Sequence, residues 1–569
     1  MSEAENSTEP YTRKPRIAYF SMEVALQSDI PTYSGGLGVL AGDSLRAAAD
    51  IGVPMVAVTL VFRGGHFRQE IDAQGRQVEH EDAWDPARYA TRLQATVALE
   101  IEGRQVWVGG WLYTLSTRLD GGVPVLLLDT DLPVNDPRDR DITHTLYGGD
   151  EALRMKQEIV LGVGGIAMLQ ALGFKPMGYH MNEGHSAFLT LALLRRYAHA
   201  REDLRPGESP YDLPQVRELC VFTTHTPVEA AHDKFDYDLV RRLYGDVLDL
   251  GTVKLLAGED RLNMTRLALN LSDYVNGVAK RHAEVSRQMF PGYAVHAVTN
   301  GVHASTWTSP PFAALYDRQI PGWCHEPELL ARADRLADEA VWSAHVGAKR
   351  ILIEQVWTLT GKHLDPDKPI LGFARRMTAY KRPDLLFSDL ARLRALARER
   401  PFQIVMAGKA HPKDEAGKRL IEALHAHMRE LEGEIPMAFL PDYDMDLALR
   451  MVSGADVWLN TPLRPLEASG TSGMKAAFNG VPQLSVLDGW WVEGCLEGVT
   501  GWAVGEDSPA ANGEDGRALY DKLGQVVLPL WYEDRPGWIA VMKGTISKSA
   551  AYFNSHRMMR RYATEAYLS

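Results

Sequence analysis

Three cysteines, Cys220, Cys324 and Cys495, are all that a chain of 569 residues contains. They lack metal-type pairing, and so few thiols exclude a disulfide scaffold and fit a reducing compartment. Long apolar runs are missing too. None approaches the length of a membrane span, and the N-terminal stretch from Met1 to Pro10 is polar and acidic, without a signal core. A cytoplasmic protein with no membrane partner is the expectation. Positive charge is in deficit, 61 Lys and Arg against 74 Asp and Glu, for a net charge of −13. A nucleic-acid partner needs a basic face, so that class is excluded, although a local basic pocket for phosphate is not. A Gly-x-Ser-x-Gly elbow and a Walker-type phosphate loop are also absent, which weighs against hydrolase and NTPase chemistry. Neither a His-Glu-x-x-His pair nor Cys/His ligand spacing is present, so no metal site is expected.

What is present is an alternation of short apolar runs with helical stretches. The C-terminal half predicts strands over 370–373, 403–407, 436–440, 456–460 and 482–486. Helices over 383–398, 413–431, 445–453 and 472–478 separate them, the pattern of a parallel sheet covered on both faces. The N-terminal half predicts a strand over 17–20, a glycine loop Ser34-Gly-Gly-Leu-Gly38, a helix from Val39 to Ile51 and a strand over 54–61. A β-hairpin follows over 96–115, turning at Glu102-Gly103. Further strands are expected over 123–129, 178–181, 219–223 and 295–298. Residues 332–359 read as one or two helices joining the halves, and the chain is helical again from Trp538. The fold class expected is α/β, with two doubly wound, Rossmann-like domains (1–340 and 341–540) facing across a cleft. Residues 541–569 form a helix crossing back to the first domain.

In such sheets ligands collect at the carboxyl ends of the strands, and the unusual residues fall there. Arg375, Arg376, Lys381 and Arg382 follow one predicted strand, and Lys409 and Tyr443 follow others. Arginine offers bidentate donors to phosphate and lysine a compact point charge. The loop Glu467-Ala-Ser-Gly-Thr-Ser-Gly-Met-Lys475 is built of small residues that let backbone N–H groups approach a ligand, and it runs into a helix start that favours anions. On residue type alone Lys475 is indistinguishable from a solvated helix lysine. His185 and His225 end strands in the other half, and Trp307 and Tyr380 could pack in a core or stack on a sugar or an aromatic cofactor.

Together these segments, from Gly35-Gly-Leu-Gly38 to Asp488-Gly489, resemble the α-glucan (glycogen, starch, maltodextrin) phosphorylases, in particular their short prokaryotic members. The most specific match is Glu467 to Lys475, continuing to Asn479-Gly480; the second is Arg375-Arg-Met-Thr-Ala-Tyr-Lys-Arg382. The resemblance implies a two-domain glycosyltransferase fold of the GT-B type and pyridoxal 5'-phosphate attached through Lys475. It further implies that Arg375, Lys381, Thr471 and the Ser472 amide hold the cofactor phosphate, with Tyr443 and Trp307 against the cofactor. Arg376, opposite the Gly36 backbone, is implied to bind the substrate phosphate; with Lys381 and His225 it makes up the catalytic set. His225, Asn300, Tyr380 and Glu467 are implied to contact the glucosyl unit, and Gly36, Leu37, Ala468, Ser469 and Gly470 complete the substrate-binding set. Asn182-Glu-Gly-His185 resembles a segment near the family's active site. Arg375 stands where animal enzymes have lysine, Thr378 replaces a histidine, and Phe478 a leucine or methionine. The implied substrates are an α-1,4-glucan or maltooligosaccharide and inorganic phosphate; a homodimer is left open. The rivals are a nucleotide-sugar glycosyltransferase of the same fold, which would not need Lys475, and a non-catalytic glucan-binding protein.

Overall fold

The computed structural model describes residues 16–568 except 201, 203, 205–208, 230–231 and 246–248. The polar N-terminal decapeptide lies outside the described residues. Two sheets organise the chain. The first is ten-stranded, and its parallel strands are largely apolar, as expected of parallel strands covered on both faces. At its centre β1 (Arg16–Ser21) pairs in parallel with β2 (Met55–Leu60) and, through Ala18 opposite Tyr179, with a later strand. The strands that follow are β3 (Arg104–Ser116), β4 (Gly122–Asp129), β5 (Pro176–Asn182), β6 (Cys220–Thr223), β7 (Tyr274–Gly277) and β8 (His296–Ala297). Their spatial order is β8-β7-β6-β5-β1-β2-β4-β3, antiparallel only at the β4–β3 end. The predicted hairpin is β3 with Val97–Ile101; Glu102 (φ 53°) and Gly103 (φ 67°) both take the left-handed conformation that a two-residue turn requires.

The second sheet is wholly parallel. It comprises β9 (Ile370–Ala374), β10 (Gln403–Ala407), β11 (Met437–Leu440), β12 (Val457–Asn460), β13 (Gln483–Val486) and β14 (Gly501–Val504), in the order β11-β10-β9-β12-β13-β14. The chain is thus α/β with largely parallel sheets. Several strands escape the sequence pattern. β7, Tyr-Val-Asn-Gly, and β14, Gly-Trp-Ala-Val, are short and show no alternation, and the hairpin Arg68–Ile71/Gln77–His80 is polar. The strand expected over 295–298 shrinks to the two residues of β8.

Helix α1 (Gly36–Ile51) begins at Gly36, three residues before the predicted start, because its entry is held from outside. The Glu23 carboxylate accepts from Ser34 N (2.6 Å) and Gly35 N (3.0 Å), so two poor helix formers are fixed in the first turn. Between the sheets, α2 (Asp338–Thr360) is a single 23-residue helix preceded by a short 3-10 stretch. Its inner face ends in a buried hub. Asp456 accepts from Lys349 Nζ (2.9 Å), His345 Nε2 (2.9 Å) and the Ile370 amide (2.8 Å), pinning the helix to the start of β9. Near the site, the short helix α3 (Ser472–Ala477) carries Gly473, where a Cβ would overlap the Gln483 side chain on β13. At the C-terminus α4 (Ser555–Tyr562) lays Met558, Met559 and Tyr562 into the apolar layer that contains Leu40 and Ala48 of α1. Among the described residues no helix is long and apolar enough to cross a membrane.

Burial alone would raise the Asp456 pKa, but Lys349 and then His345 hold the carboxyl well below its ordinary value. A depressed folded pKa gives stability that is present above the ordinary carboxylate pKa and lost as pH falls below it. Asp456→Asn, which leaves Lys349 buried without its counter-charge, should cost about 3–5 kcal/mol. Urea unfolding at neutral pH measures the loss, and the difference from wild type should shrink as the pH is taken well below the ordinary carboxylate range.

Candidate active site

A cavity of about 940 Å³ opens where the carboxyl ends of both sets of strands meet, and every site residue expected from the sequence lines it. From the first sheet come Gly36, Leu37, His225 and Asn300; from the second come Arg375, Arg376, Tyr380, Lys381, Tyr443 and the loop Glu467–Ser472 with Lys475; Trp307 stands between them.

Lys475 sits at the back. It is 7% exposed, and its amine lies 3.9 Å from the Trp307 ring centroid. Burial lowers its pKa to about 8, with Asp43 partly offsetting the effect. Asp43 is itself fixed by the Trp307 indole N–H at 2.8 Å. A desolvated lysine this close to neutrality can act as a nucleophile toward a carbonyl.

The basic cluster divides. Arg375 Nη2 and Lys381 Nζ both bind Glu467, at 2.6 and 2.5 Å. Burial would raise the Glu467 pKa, yet Lys381 and Arg375 together hold it below the usual value. Arg375 still has two buried nitrogens, Nε and Nη1, without a partner. Arg376 is exposed to the cavity and lies against the glycine loop, since a Cβ at Gly35 would stand 3.0 Å from its Nη2. A Cβ at Gly36 would meet nothing within 4 Å. Arg382 does not line the cavity. Its guanidinium is consumed by the Thr461 and Pro462 carbonyls and Asp515, so it braces the loop instead. Ser472 Oγ is likewise engaged, by the Trp458 indole, which leaves its backbone amide for a ligand.

On the opposite wall, His225 Nε2 meets Asn182 Oδ1 at 2.6 Å, and Asn182 Nδ2 donates to Ser21 Oγ. That network makes Nε2 the protonated nitrogen and leaves Nδ1 as an acceptor. Burial drives the His225 pKa well below its ordinary value, so the ring is neutral. Asn300 Oδ1 is buried and unpartnered. Sequence reasoning underrated Glu183. This residue holds a left-handed φ of 73°, and its carboxylate accepts from the Gly184 and His225 amides and the Thr226 hydroxyl. Strain of this kind concentrates at functional sites. Sequence reasoning missed Glu23 altogether, although Glu23 lies two residues beyond the end of β1; position after a strand was the signal available. Arg154, which stacks on Tyr147 at 4.5 Å and pairs with Asp233, lies on a helix and gave none.

Comparison with known proteins shows the family. The sequence profile of the carbohydrate phosphorylases matches residues 212–500. The maltodextrin phosphorylase of Thermococcus litoralis is 39% identical, the match covering 97% of this chain and 70% of that protein. The chain belongs to the carbohydrate phosphorylase family. The glycogen phosphorylase of Aquifex aeolicus is 37% identical over 98% of this chain and 86% of its own length. An uncharacterized protein of Methanocaldococcus jannaschii is 30% identical over 97% of this chain and 99% of its own length. In this chain the glycine loop, the Arg375–Arg382 segment and the Lys475 loop become neighbours only through the fold, since more than four hundred residues separate the first from the last.

Gly36→Ala tests the open face of the glycine loop. The added methyl has free space, so stability should change by less than about 0.5 kcal/mol. The upward shift in melting temperature produced by inorganic phosphate should shrink, because the methyl projects where an anion would approach the helix start.

Proposed function

We propose that the chain is an α-1,4-glucan phosphorylase. It transfers the terminal glucosyl unit of a glucan or maltooligosaccharide to inorganic phosphate and releases α-glucose 1-phosphate, with pyridoxal 5'-phosphate held at Lys475. The observation that carries this reading is the Lys475 amine, buried, depressed to about 8 and facing a cavity that contains unpartnered Arg375 nitrogens. Both features fit the cofactor. Lys475 would anchor it, Trp307 and Tyr443 would flank it, and Arg375, Lys381, Thr471 and the Ser472 amide would hold its phosphate. In this reading the two sheets belong to the two Rossmann-like domains of a GT-B glycosyltransferase, 1–340 and 341–540, facing across the cavity. Residues 541–569 return to the first domain, and the reaction belongs to the cytoplasm, where the three thiols stay reduced.

When bound, the cofactor supplies a phosphate that can hold and return a proton near neutral pH. The protein does the rest. Arg376 and the Gly36 amide bind inorganic phosphate, and the cation cluster offsets the repulsion between two close dianions. Substrate phosphate protonates the glycosidic oxygen as its bond to C1 breaks, and one of its own oxygens then forms the new bond to C1. The positive charge that develops at C1 is stabilised by the adjacent anion. The neutral His225 ring accepts from a sugar hydroxyl through Nδ1, and Asn300 Oδ1 offers a second acceptor. Tyr380, Leu37, Ala468, Ser469 and Gly470 shape the remaining contacts. Glu467, held ionised by two cations, binds hydroxyl groups and does not protonate the leaving oxygen, which favours phosphorolysis over a two-carboxylate hydrolysis.

Purified protein should carry a pyridoxal absorbance band and retain the cofactor after borohydride reduction; a colourless protein that traps none and instead consumes a nucleotide sugar would establish the glycosyltransferase rival. Lys475→Ala should lose cofactor and activity together. Arg376→Ala should keep the cofactor while kcat/KM for phosphate falls by about 100-fold or more; undiminished phosphorolysis in that variant would refute its assigned role.

A further inference from the structure

Away from the cavity, three titratable side chains converge at the C-terminal end of α1. His303 Nε2 lies 2.8 Å and His556 Nε2 2.9 Å from the same oxygen, Asp50 Oδ2. The three side chains are no more than 2% exposed, and their ligand atoms lie within 4.8 Å of one another. Asp50 belongs to α1, His303 to the turn after Asn300-Gly301, and His556 to α4, so the cluster ties the last helix to the first.

Hydrogen positions do not balance if all three groups hold their ordinary protonation. His556 Nδ1 faces the His325 carbonyl oxygen at 3.2 Å. A carbonyl only accepts, so Nδ1 carries the ring proton. The neutral ring then points the lone pair of Nε2 at a carboxylate oxygen, two acceptors in contact. Either a second proton on His556 or a shared cation removes the conflict. Two imidazoles and a carboxylate are a donor set for a borderline divalent ion. The far nitrogen of each ring is already tied to an oxygen, His556 Nδ1 to His325 and His303 Nδ1 to Thr306 Oγ1 at 2.7 Å. Metal-bound imidazoles are oriented by such contacts.

We propose that Asp50, His303 and His556 bind a divalent transition-metal ion, with Zn2+ the first candidate, that staples α4 to the N-terminal sheet layer. His303 then takes the Nδ1–H tautomer and donates to Thr306, a water completes the coordination, and the ligand atoms separate slightly to reach bonds of about 2.0–2.2 Å. None of the three residues lines the catalytic cavity, so the role is structural. The ligands stand 253 residues apart in each interval, and no spacing motif could have announced them.

Elemental analysis of the untagged full chain, purified without chelator, should find about one zinc, or another first-row divalent ion, per chain. Stripping it should lower the melting temperature by about 5 °C, restored by stoichiometric Zn2+ and not by Mg2+. His303→Gln should lose both the metal and the response to chelator; if that variant fails to fold, the metal content and chelator response of the wild type decide. Wild-type protein without bound metal, whose melting temperature ignores chelator and added zinc, overturns the proposal and makes the cluster an imidazolium–carboxylate pair.

Discussion

Collecting cations in one water-poor cavity is unfavourable, and the site depends on how that cost is met. Like charges about 4 Å apart repel by roughly 4 kcal/mol at an effective dielectric constant near 20. Glu467 sits between Arg375 and Lys381 and lets both stay charged and ordered before any ligand arrives. It is held in turn by Asp488, which accepts the Glu467 amide at 2.8 Å. Burial, and to a lesser degree the Glu467 charge, raises the Asp488 carboxyl to about 6. The loop wraps this carboxylate closely: Gly470 takes φ 79° with its open side against the Glu467 side chain. One carboxylate thus neutralises part of the cluster, while two nitrogens of Arg375 and all of Arg376 remain for anions.

The cluster is useful only if it faces the glycine loop of the other sheet, and a small hairpin sets that relation. Gln69 exchanges hydrogen bonds with Asp442 and donates to the Gly408 carbonyl, and Gln77 both donates to and accepts from the Ala410 backbone. Side-chain amides here imitate strand pairing with the loops after β10 and β11. Lys409, which also lines the cavity, adds a bond to the Phe67 carbonyl and an ion pair with Asp442. These contacts are directional, so they specify an orientation where an apolar contact would only favour proximity. Buried amides are costly if unpaired, and each of these is paired.

Legibility followed the same physics. The second sheet was readable because a parallel strand buried on both faces is predominantly apolar: β9 and β11 are wholly so, and β10 and β12 carry one polar residue each at an end. β7 and β14 were lost because four residues containing glycine carry no period, and the strap hairpin was lost because its function demands polar side chains. The candidate site residues were legible as strand-end positions, but any division of labour came from the family resemblance alone, because by residue type and position Arg375, Arg376 and Arg382 are equivalent. Only packing shows one half-spent on Glu467, one facing the cavity, and one consumed by Asp515 and two carbonyls. Glu23 and Glu183 were obscured for the opposite reason. Acidic residues are unremarkable in a chain with 74 of them, and what sets these two apart is the amides they hold.

Lys475 illustrates how burial converts a common residue into a specific one. Its neighbours in sequence do not distinguish it from a surface lysine, whereas the fold removes it from water, stacks it on Trp307 and leaves Asp43 as a partial counter-charge. Such an amine is suited to a covalent bond that replaces its charge, because the cation is what desolvation penalises. Acid–base work on a glycosidic oxygen asks for something else, a proton carrier beside the sugar. The proton carriers on the sugar side are poor ones, with His225 fixed as a neutral ring and Glu467 fixed as an anion. In the proposed reading the protein's own groups therefore hold and orient, and the phosphate gathered between Arg376 and the glycine loop moves the proton.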